Sequence, residues 1–333
     1  MDLLKRLTEI DAPSGREDMV YSLIADMAKE LGYDVTTDGL GSVIAHKKGD
    51  GKKLMLAAHT DEIGVIVNYI DDNGFIHFSA IGGLYKKELQ KRRVRFKNGT
   101  VGIIAADEDV FEKNQEINKM YIDIGAKDRE EAEGLVQIGD TAVFDGAFCL
   151  SGDTVISKAL DDRAGCYILL KAMENIKSSD NDLYFVFTSQ EEVGIRGAKT
   201  SAFTVMPDFA IAVDVTDTGD TPDAPKSDVR LGGGAAIKAM DRSVMCDVGI
   251  VKTLKKLAQD NAIPYTTEIM TDGGTDAGAI ALTGGGVKTG GISVPVRYIH
   301  SPSELAKISD INACIDLLTK ACEYNWQIKF KTV

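Results

Sequence analysis

The chain has 333 residues, of which 44% are hydrophobic, which is enough to bury a large core in more than one domain. Its 38 Lys and Arg residues against 51 Asp and Glu residues give a formal net charge of −13. Such a surplus of negative charge opposes nucleic acid and anionic membranes, so we expect neither as a partner. The basic run from Lys86 to Lys97 is an exception, and a run of this kind is most often a solvated face or an interface rim.

The N-terminal segment and the cysteines indicate the compartment. The first residues are charged and helical in period, they contain no apolar signal core, and no later stretch reaches membrane-spanning length. The five cysteines are odd in number and show no CxxC spacing, which argues against a disulfide framework and a thiolate zinc site. We expect a soluble, cytoplasmic protein whose cysteines are small apolar core residues.

The hydrophobic pattern changes twice along the chain. Residues 1 to about 65 predict two amphipathic helices, a hairpin and a buried strand that ends at His59. From Val65 to about Leu150, short alternating segments separated by turn pairs predict a small antiparallel barrel. From Ser157 onward strands alternate with helices, as in a parallel sheet with both faces covered. We therefore predict an α/β domain of residues 1–65 and 155–333, interrupted by a β-rich insertion of residues 66–154.

The last helix has an apparent start signal. Ser301 is a candidate N-cap, Pro302 suits the first turn, and Glu304 completes a capping box. These residues predict a helix that begins at Ser301, with His300 directly before it.

Metal-type ligands follow four apolar strands. The strand-end residues are His59, Glu191 with Glu192, Asp214 and His300. Ligands of α/β proteins bind at the carboxyl ends of parallel strands, so we expect these side chains to converge. The segment KALDDRAG adds Asp161 and Asp162 at the start of an amphipathic helix. Imidazole and carboxylate suit zinc, cobalt or manganese, and the set exceeds the three protein ligands of one catalytic zinc. A two-metal hydrolase is the simplest interpretation.

Each motif taken alone has a simpler explanation. A histidine two residues before an acid is more often a core histidine, and adjacent acids are common at exposed helix starts. Their shared position at strand ends favours a metal site. In such a site Asp61 could support the His59 ring, and one of Glu191 and Glu192 could bind metal while the other acts as general base.

Asp161 and Asp162 leave a similar choice open. One of the two carboxylates could cap the following helix, and a carboxylate could instead bridge two cations about 3.5 to 4 Å apart.

Six motifs in order, HTDEIG, ALDDRAG, QEEVGIRGA, VDVT, GGTDAGAI and RYIHSP, resemble the M42 family of dinuclear metallo-aminopeptidases. That family contains the TET aminopeptidases and the bacterial glutamyl aminopeptidases, and the resemblance covers essentially the whole chain. It implies a mostly parallel, zinc-peptidase-like α/β catalytic domain interrupted by a β-barrel-like insertion. It also implies roles for the strand-end residues.

The resemblance implies that Asp161 bridges two metals, one completed by His59 and Asp214 and the other by Glu192 and His300. It further makes Glu191 the general base and Asp61 the supporting partner of His59. The peptide bond between Asp161 and Asp162 is expected to be cis.

The function that this resemblance implies is removal of N-terminal residues from short peptides by a metal-bridging water that Glu191 activates. It requires two divalent metal ions per subunit, zinc or cobalt. The insertion is expected to pair subunits, and the dimers to assemble into a tetrahedral dodecamer. Arg297 and Asp276 are candidate substrate-binding residues, and Arg297 or Lys238 could supply the cation that an acidic N-terminal residue would need.

Two alternatives remain at this point. One is a deacylase or carboxypeptidase on a related dinuclear scaffold, and blocked peptides would separate it from an aminopeptidase. The other is a catalytically silent assembly or binding protein, which metal content would test. The sequence leaves the side-chain preference and the native metal open.

Overall fold

The computed structural model of the chain describes residues 1–106, 116–222 and 224–327. Its α-helices are α1 (Asp2–Glu9), α2 (Asp18–Glu30), α3 (Arg129–Glu133), α4 (Leu160–Asn175), α5 (Arg196–Val205), α6 (Val248–Asp260), α7 (Asp276–Ala281) and α8 (Ile308–Glu323). Its strands are β1 (Asp34–Thr37), β2 (Val43–Lys47), β3 (Lys53–His59), β4 (Gly64–Ile70), β5 (Ile76–Ile81), β6 (Arg93–Phe96), β7 (Val101–Ala105), β8 (Tyr121–Asp123), β9 (Thr141–Phe144), β10 (Cys149–Ser151), β11 (Thr154–Ser157), β12 (Asp182–Thr188), β13 (Phe209–Asp217), β14 (Ala235–Met240), β15 (Tyr265–Ile269), β16 (Lys288–Arg297) and β17 (Glu304–Lys307).

A mixed sheet of eleven strands forms the larger part of the molecule. Its order is β1-β2-β12-β3-β13-β16-β17-β11-β10, and β14 pairs with β16 and β15 beside this path. The central strands β12, β3, β13 and β16 are parallel, and the strands that flank them pair antiparallel. The predicted α/β fold is confirmed, with the parallel arrangement confined mainly to the centre of the sheet.

Helices cover both faces of the centre. On β3, Leu54 and Leu56 join a core with α1, α2, α4, α6 and α8, whereas Met55 and Ala57 join a second core with α5 and α7. Because successive strand side chains point to opposite faces, a strand that is covered on both sides must be apolar at every position. This explains the uninterrupted hydrophobic run before His59.

Six strands close into the predicted antiparallel barrel, in the order β4-β5-β8-β7-β6-β9. The barrel has its own core, which includes Val65, Phe78, Phe96 and Ile122. The chain enters it after β3 and returns to the large sheet through β10 and β11. The barrel is thus inserted between neighbouring segments of the α/β structure.

The predicted start of the last helix at Ser301 is wrong. Glu304–Lys307 form β17, which pairs with β11 and β16, and α8 begins at Ile308. The Asp153 side chain accepts hydrogen bonds from the Ser309 backbone N–H at 3.1 Å and from the Ser309 hydroxyl at 2.6 Å. The cap therefore comes from a distant segment, which local sequence patterns do not reveal.

Two further expectations concern the surface. Four cysteines are buried, but Cys149 is exposed, so the expectation of core cysteines is wrong there because β10 is the outermost strand of the sheet. Within the described residues, none of the helices combines the length and the apolar character that a bilayer-crossing helix needs.

Candidate active site

The predicted ligands lie together at the carboxyl edge of the parallel strands. His59 is the last residue of β3 and Asp214 lies near the end of β13. Glu192 follows β12 after a short loop, and His300 follows β16 in the same way. The register pairs Thr188 with His59, so adjacent strands end at the same level. Strand alignment therefore brings residues that are far apart in sequence to one place.

Asp161, from the start of α4, lies between the two histidines. Its Oδ1 is 2.9 Å from His59 Nε2, and its Oδ2 is 3.3 Å from His300 Nε2. His59 Nε2 is also 4.0 Å from Asp214 Oδ1, and His300 Nε2 is 3.3 Å from Glu192 Oε1. The two oxygens of one carboxylate thus face two separate imidazoles.

These residues form two groups, each of which could hold a metal ion. One group is His59, Asp161 and Asp214, and the other is Asp161, Glu192 and His300. Within each group the ligand atoms lie within 4.8 Å of one another. Nitrogen and oxygen ligands about 2.0 to 2.2 Å from a tetrahedral zinc ion lie about 3.3 to 3.6 Å apart. The separations and the donor chemistry fit a divalent metal at each group, with Asp161 common to both.

The His59 ring is oriented by its own loop. Its Nδ1 is 3.1 Å from the backbone carbonyl oxygen of Asp61. A carbonyl oxygen can only accept, so Nδ1 carries a proton and donates it. Without a metal, a protonated Nε2 donates to Asp161. Loss of that second proton would leave a neutral ring with its proton on Nδ1 and its Nε2 lone pair on the side of Asp161 and Asp214. This is the tautomer that a metal ligand requires.

The Asp61 carboxylate fixes the loop that carries the two glutamates. Its Oδ1 accepts a hydrogen bond from the Glu191 backbone N–H at 2.9 Å, and its Oδ2 accepts from the Glu192 backbone N–H at 3.2 Å. The Ser14 hydroxyl donates to Oδ2 at 2.6 Å. Asp61 therefore positions Glu191 and Glu192 through their backbone, in addition to its contact with His59.

Asp162 has a different role from its neighbour. It accepts hydrogen bonds from the backbone N–H groups of Gly165, at 2.9 Å, and His59, at 3.1 Å. It caps the start of the regular part of α4, and it belongs to neither ligand group. The peptide bond between Asp161 and Asp162 is cis, as predicted.

Glu304 supports the site and was interpreted from the sequence only as a helix cap. Its buried carboxylate accepts hydrogen bonds from the backbone N–H groups of His300, at 2.9 Å, and Asp161, at 3.0 Å. The capping-box prediction had Glu304 reach back to the backbone of Ser301, one residue after the His300 N–H that it contacts. Its second contact, to Asp161, depends on the pairing of β17 with β11.

The electrostatics of the site favour bound positive charge. Burial raises the pKa of Asp214, Glu191 and Glu192, and nearby carboxylates raise them further. Burial lowers the pKa of His300, but the charges of Glu192 and Asp161 outweigh it and raise the pKa to about 12. The acids of the site thus exceed the positive charge that two histidines supply, a surplus that divalent cations would offset.

A cavity of about 380 Å³ opens onto both ligand groups, and Glu191 lines it beside Glu192 and Asp214. The candidate substrate residues are elsewhere. Arg297 pairs with Asp220 at 2.9 Å and lies outside the lining.

Asp276 and Lys238 also lie outside the lining of this cavity. Asp276 is buried against Thr188, whose hydroxyl donates to it at 2.5 Å, and burial raises the pKa of Asp276 to about 6. Lys238 is buried in an ion pair with Glu268.

Comparisons with known proteins agree with this geometry. Residues 41–317 match the family model described as M42 glutamyl aminopeptidase, and the chain belongs to the M42 peptidase family. It is 54% identical to an Acetivibrio thermocellus protein that is described as an aminopeptidase by inference, over 96% of this chain and 97% of that protein. It is 33% identical to the lysyl aminopeptidase of Pyrococcus furiosus, over 95% and 94% of the two chains.

Solved structures share the fold. An aminopeptidase of the archaeon Desulfurococcus kamchatkensis superposes with a TM-score of 0.92 at 40% identity, covering 97% of this chain and 94% of that one. The TET1 peptidase of Pyrococcus horikoshii, described as able to assemble into a tetrahedron or a large octahedral shell, has a TM-score of 0.86 at 31% identity, with 96% and 98% coverage. The chain is accordingly a peptidase hydrolase, and its family supports aminopeptidase activity.

We expect Glu304→Gln to destabilise the protein by about 1 to 3 kcal/mol, because one amide oxygen cannot replace two carboxylate oxygens as acceptors for two buried N–H groups. Urea unfolding of the metal-free protein, followed by circular dichroism, measures this change. The exposed Glu133→Gln on α3 is the matched control and should unfold like the unsubstituted protein. Equal stability of the two variants would contradict the assigned role of Glu304.

Proposed function

We propose that the protein is a dinuclear metal-dependent aminopeptidase that releases N-terminal residues from short peptides. The observation that carries the proposal is the Asp161 carboxylate, whose two oxygens face His59 and His300 separately. His59, Asp161 and Asp214 would hold one ion, and Asp161, Glu192 and His300 the other. The donor set suits zinc or cobalt.

When bound, two divalent cations would supply Lewis-acid activation of the scissile carbonyl and of the attacking water. The residues of the chain position that chemistry. Asp61 fixes the backbone of Glu191 and Glu192, and Glu304 fixes the backbone of Asp161 and His300. These hydrogen bonds keep the metal-binding side chains in place. A displacement of about 1 Å in such a side chain would lower the reaction rate by about 10²-fold.

Glu191 is the proposed general base. It lines the cavity, and among the described residues its carboxylate has no hydrogen-bond donor of its own. Burial and neighbouring carboxylates raise its pKa well above the usual range. A carboxylate in this setting can take a proton from the attacking water and deliver it to the leaving amine.

We expect Glu191→Gln to lower kcat for leucyl-p-nitroanilide by about 10² to 10⁴-fold, because the amide cannot accept the proton. Metal content should stay unchanged, since Glu191 is in neither ligand group. Steady-state kinetics and elemental analysis of the same preparation measure both quantities. The exposed Glu30→Gln at the end of α2 serves as control. Near-normal turnover by the Glu191 variant would refute its role as base.

The two-metal proposal predicts about two equivalents of zinc or cobalt per chain, bound by dialysed protein and removed by a chelator with loss of activity. Asp214→Asn and Glu192→Gln should each lower the affinity of one site and leave about one equivalent. Elemental analysis at fixed free metal measures this. The exposed Asp50→Asn should keep the full content. A single equivalent in the unsubstituted protein would contradict the dinuclear arrangement.

Blocked substrates separate the aminopeptidase from the deacylase and carboxypeptidase alternatives. An aminopeptidase needs the free α-amino group, so the N-acetylated form of a cleaved substrate should be inert in the assay used for Glu191→Gln. A deacylase would instead release acetate from the acetylated form, and a carboxypeptidase would shorten a peptide from its free carboxyl end, which p-nitroanilides lack. Either activity without release of N-terminal residues would move the assignment to that alternative.

We also propose that residues 66–154 form an assembly domain. The support is the similarity to the TET1 peptidase, together with apolar side chains on the outer face of β7, where Val101 and Ile103 are 45% and 46% exposed. Solvent-exposed apolar side chains on adjacent outward positions are typical of interfaces. A dodecamer would have twelve times the 35.9 kDa mass of the chain.

Sedimentation velocity should therefore give a mass far above one chain, and Ile103→Asp should shift it toward smaller species, because a charge would be buried in the interface. Met19→Asp, on the exposed side of α2, is the matched control and should leave the mass unchanged. A monomer in the unsubstituted protein would exclude the assembly.

A further inference from the structure

The cavity beside the two ligand groups is also lined by two carboxylates that belong to neither group. Asp217, at the end of β13, and Asp272, in the loop after β15, both line it and are exposed to solvent. Among the described residues, no lysine or arginine pairs with either carboxylate. Two unneutralised negative charges therefore face the space that a substrate would enter.

Positive side chains are absent from the described lining of this cavity, apart from His59 and His300. Arg297 is held by Asp220, and Lys238 is buried with Glu268. Arg242 comes near through its backbone N–H, which donates to the Gly273 carbonyl at 3.1 Å, but it is outside the lining. An acidic substrate side chain would meet no lysine or arginine in this described lining.

A second cavity of about 870 Å³ adjoins the first and shares Thr216, Asp217, Met270 and Asp272 with it. Glu268 lines the second cavity, is buried, and keeps one carboxylate oxygen without a hydrogen-bond partner among the described residues. Lys226 lines the second cavity only, and the shared border combines the apolar side chain of Met270 with the carboxylates of Asp217 and Asp272. This pairing suits a side chain with an aliphatic stem and a cationic end.

We propose that Asp217 and Asp272 select peptides whose N-terminal residue is lysine or arginine. The proposal rests on the aminopeptidase function proposed above. The aliphatic stem would lie along Met270, and the cationic end would lie between the two carboxylates, whose field also raises the local concentration of cationic peptides. Glutamyl and aspartyl peptides would be repelled, although the matching family model has a glutamyl name.

The test compares lysyl-, norleucyl- and glutamyl-p-nitroanilide with zinc- or cobalt-loaded enzyme. Norleucine keeps the stem of lysine and lacks its charge. We expect kcat/KM to be at least about tenfold higher for lysyl than for norleucyl, and lowest for glutamyl. In the double variant Asp217→Asn/Asp272→Asn, the lysyl-to-norleucyl ratio should fall about tenfold, mainly through a higher KM for the lysyl substrate.

Salt and a distant variant serve as controls. Raising the salt concentration should lower the lysyl-to-norleucyl ratio, because these carboxylates are exposed and screened. The double variant Asp26→Asn/Asp50→Asn, at two exposed acids outside the lining of both cavities, removes the same two negative charges and should leave the ratio unchanged. A general effect of net charge would instead lower the ratio in both variants.

Other outcomes would overturn the proposal. An equal fall for lysyl and norleucyl substrates in the double variant would mean that the acids hold the α-amino group. A glutamyl preference, or none for lysyl over norleucyl, would exclude cation selection while leaving the aminopeptidase intact. Failure to cleave any free-amine substrate with metal bound would instead refute the proposed function.

Discussion

The Asp161 carboxylate, shared between two imidazoles, is the contact on which the rest of the site depends. Its oxygens lie 2.9 Å from His59 and 3.3 Å from His300, in a place where an unpaired charge would be costly. His59 ends β3 and His300 follows β16, and β13 lies between these two strands in the sheet. The sheet therefore sets the spacing between the rings, and the start of α4 places the carboxylate in that space.

A layer of buried acids behind the ligands holds this arrangement. Asp61, Asp162 and Glu304 each accept hydrogen bonds from backbone N–H groups of ligand residues or their neighbours. Backbone donors stabilise a buried carboxylate without supplying a full positive charge. The ligands are thus positioned firmly while the site keeps the surplus of negative charge that suits divalent cations.

The barrel also contributes to the cavity. Gly83 and Tyr85, in the segment after β5, line it. At Gly82, with φ +77°, a side-chain Cβ would lie 2.9 Å from a Glu192 carboxylate oxygen, so the backbone approaches the site as closely as glycine allows. The inserted segment that carries the barrel therefore forms one wall of the site.

The α/β and barrel segments and the strand-end residues could be predicted from the sequence, because hydrophobic periodicity and an acid after a buried strand are local signals. The resemblance to a family then suggested how those residues group, and the geometry groups His59 with Asp161 in the same way. Three features could be seen only in the folded chain: Asp153 caps α8, Glu304 supports two ligands, and Asp217 rather than Arg297 faces the cavity. Each of these depends on contacts between segments far apart in sequence, which strand pairing and packing create and no local pattern encodes.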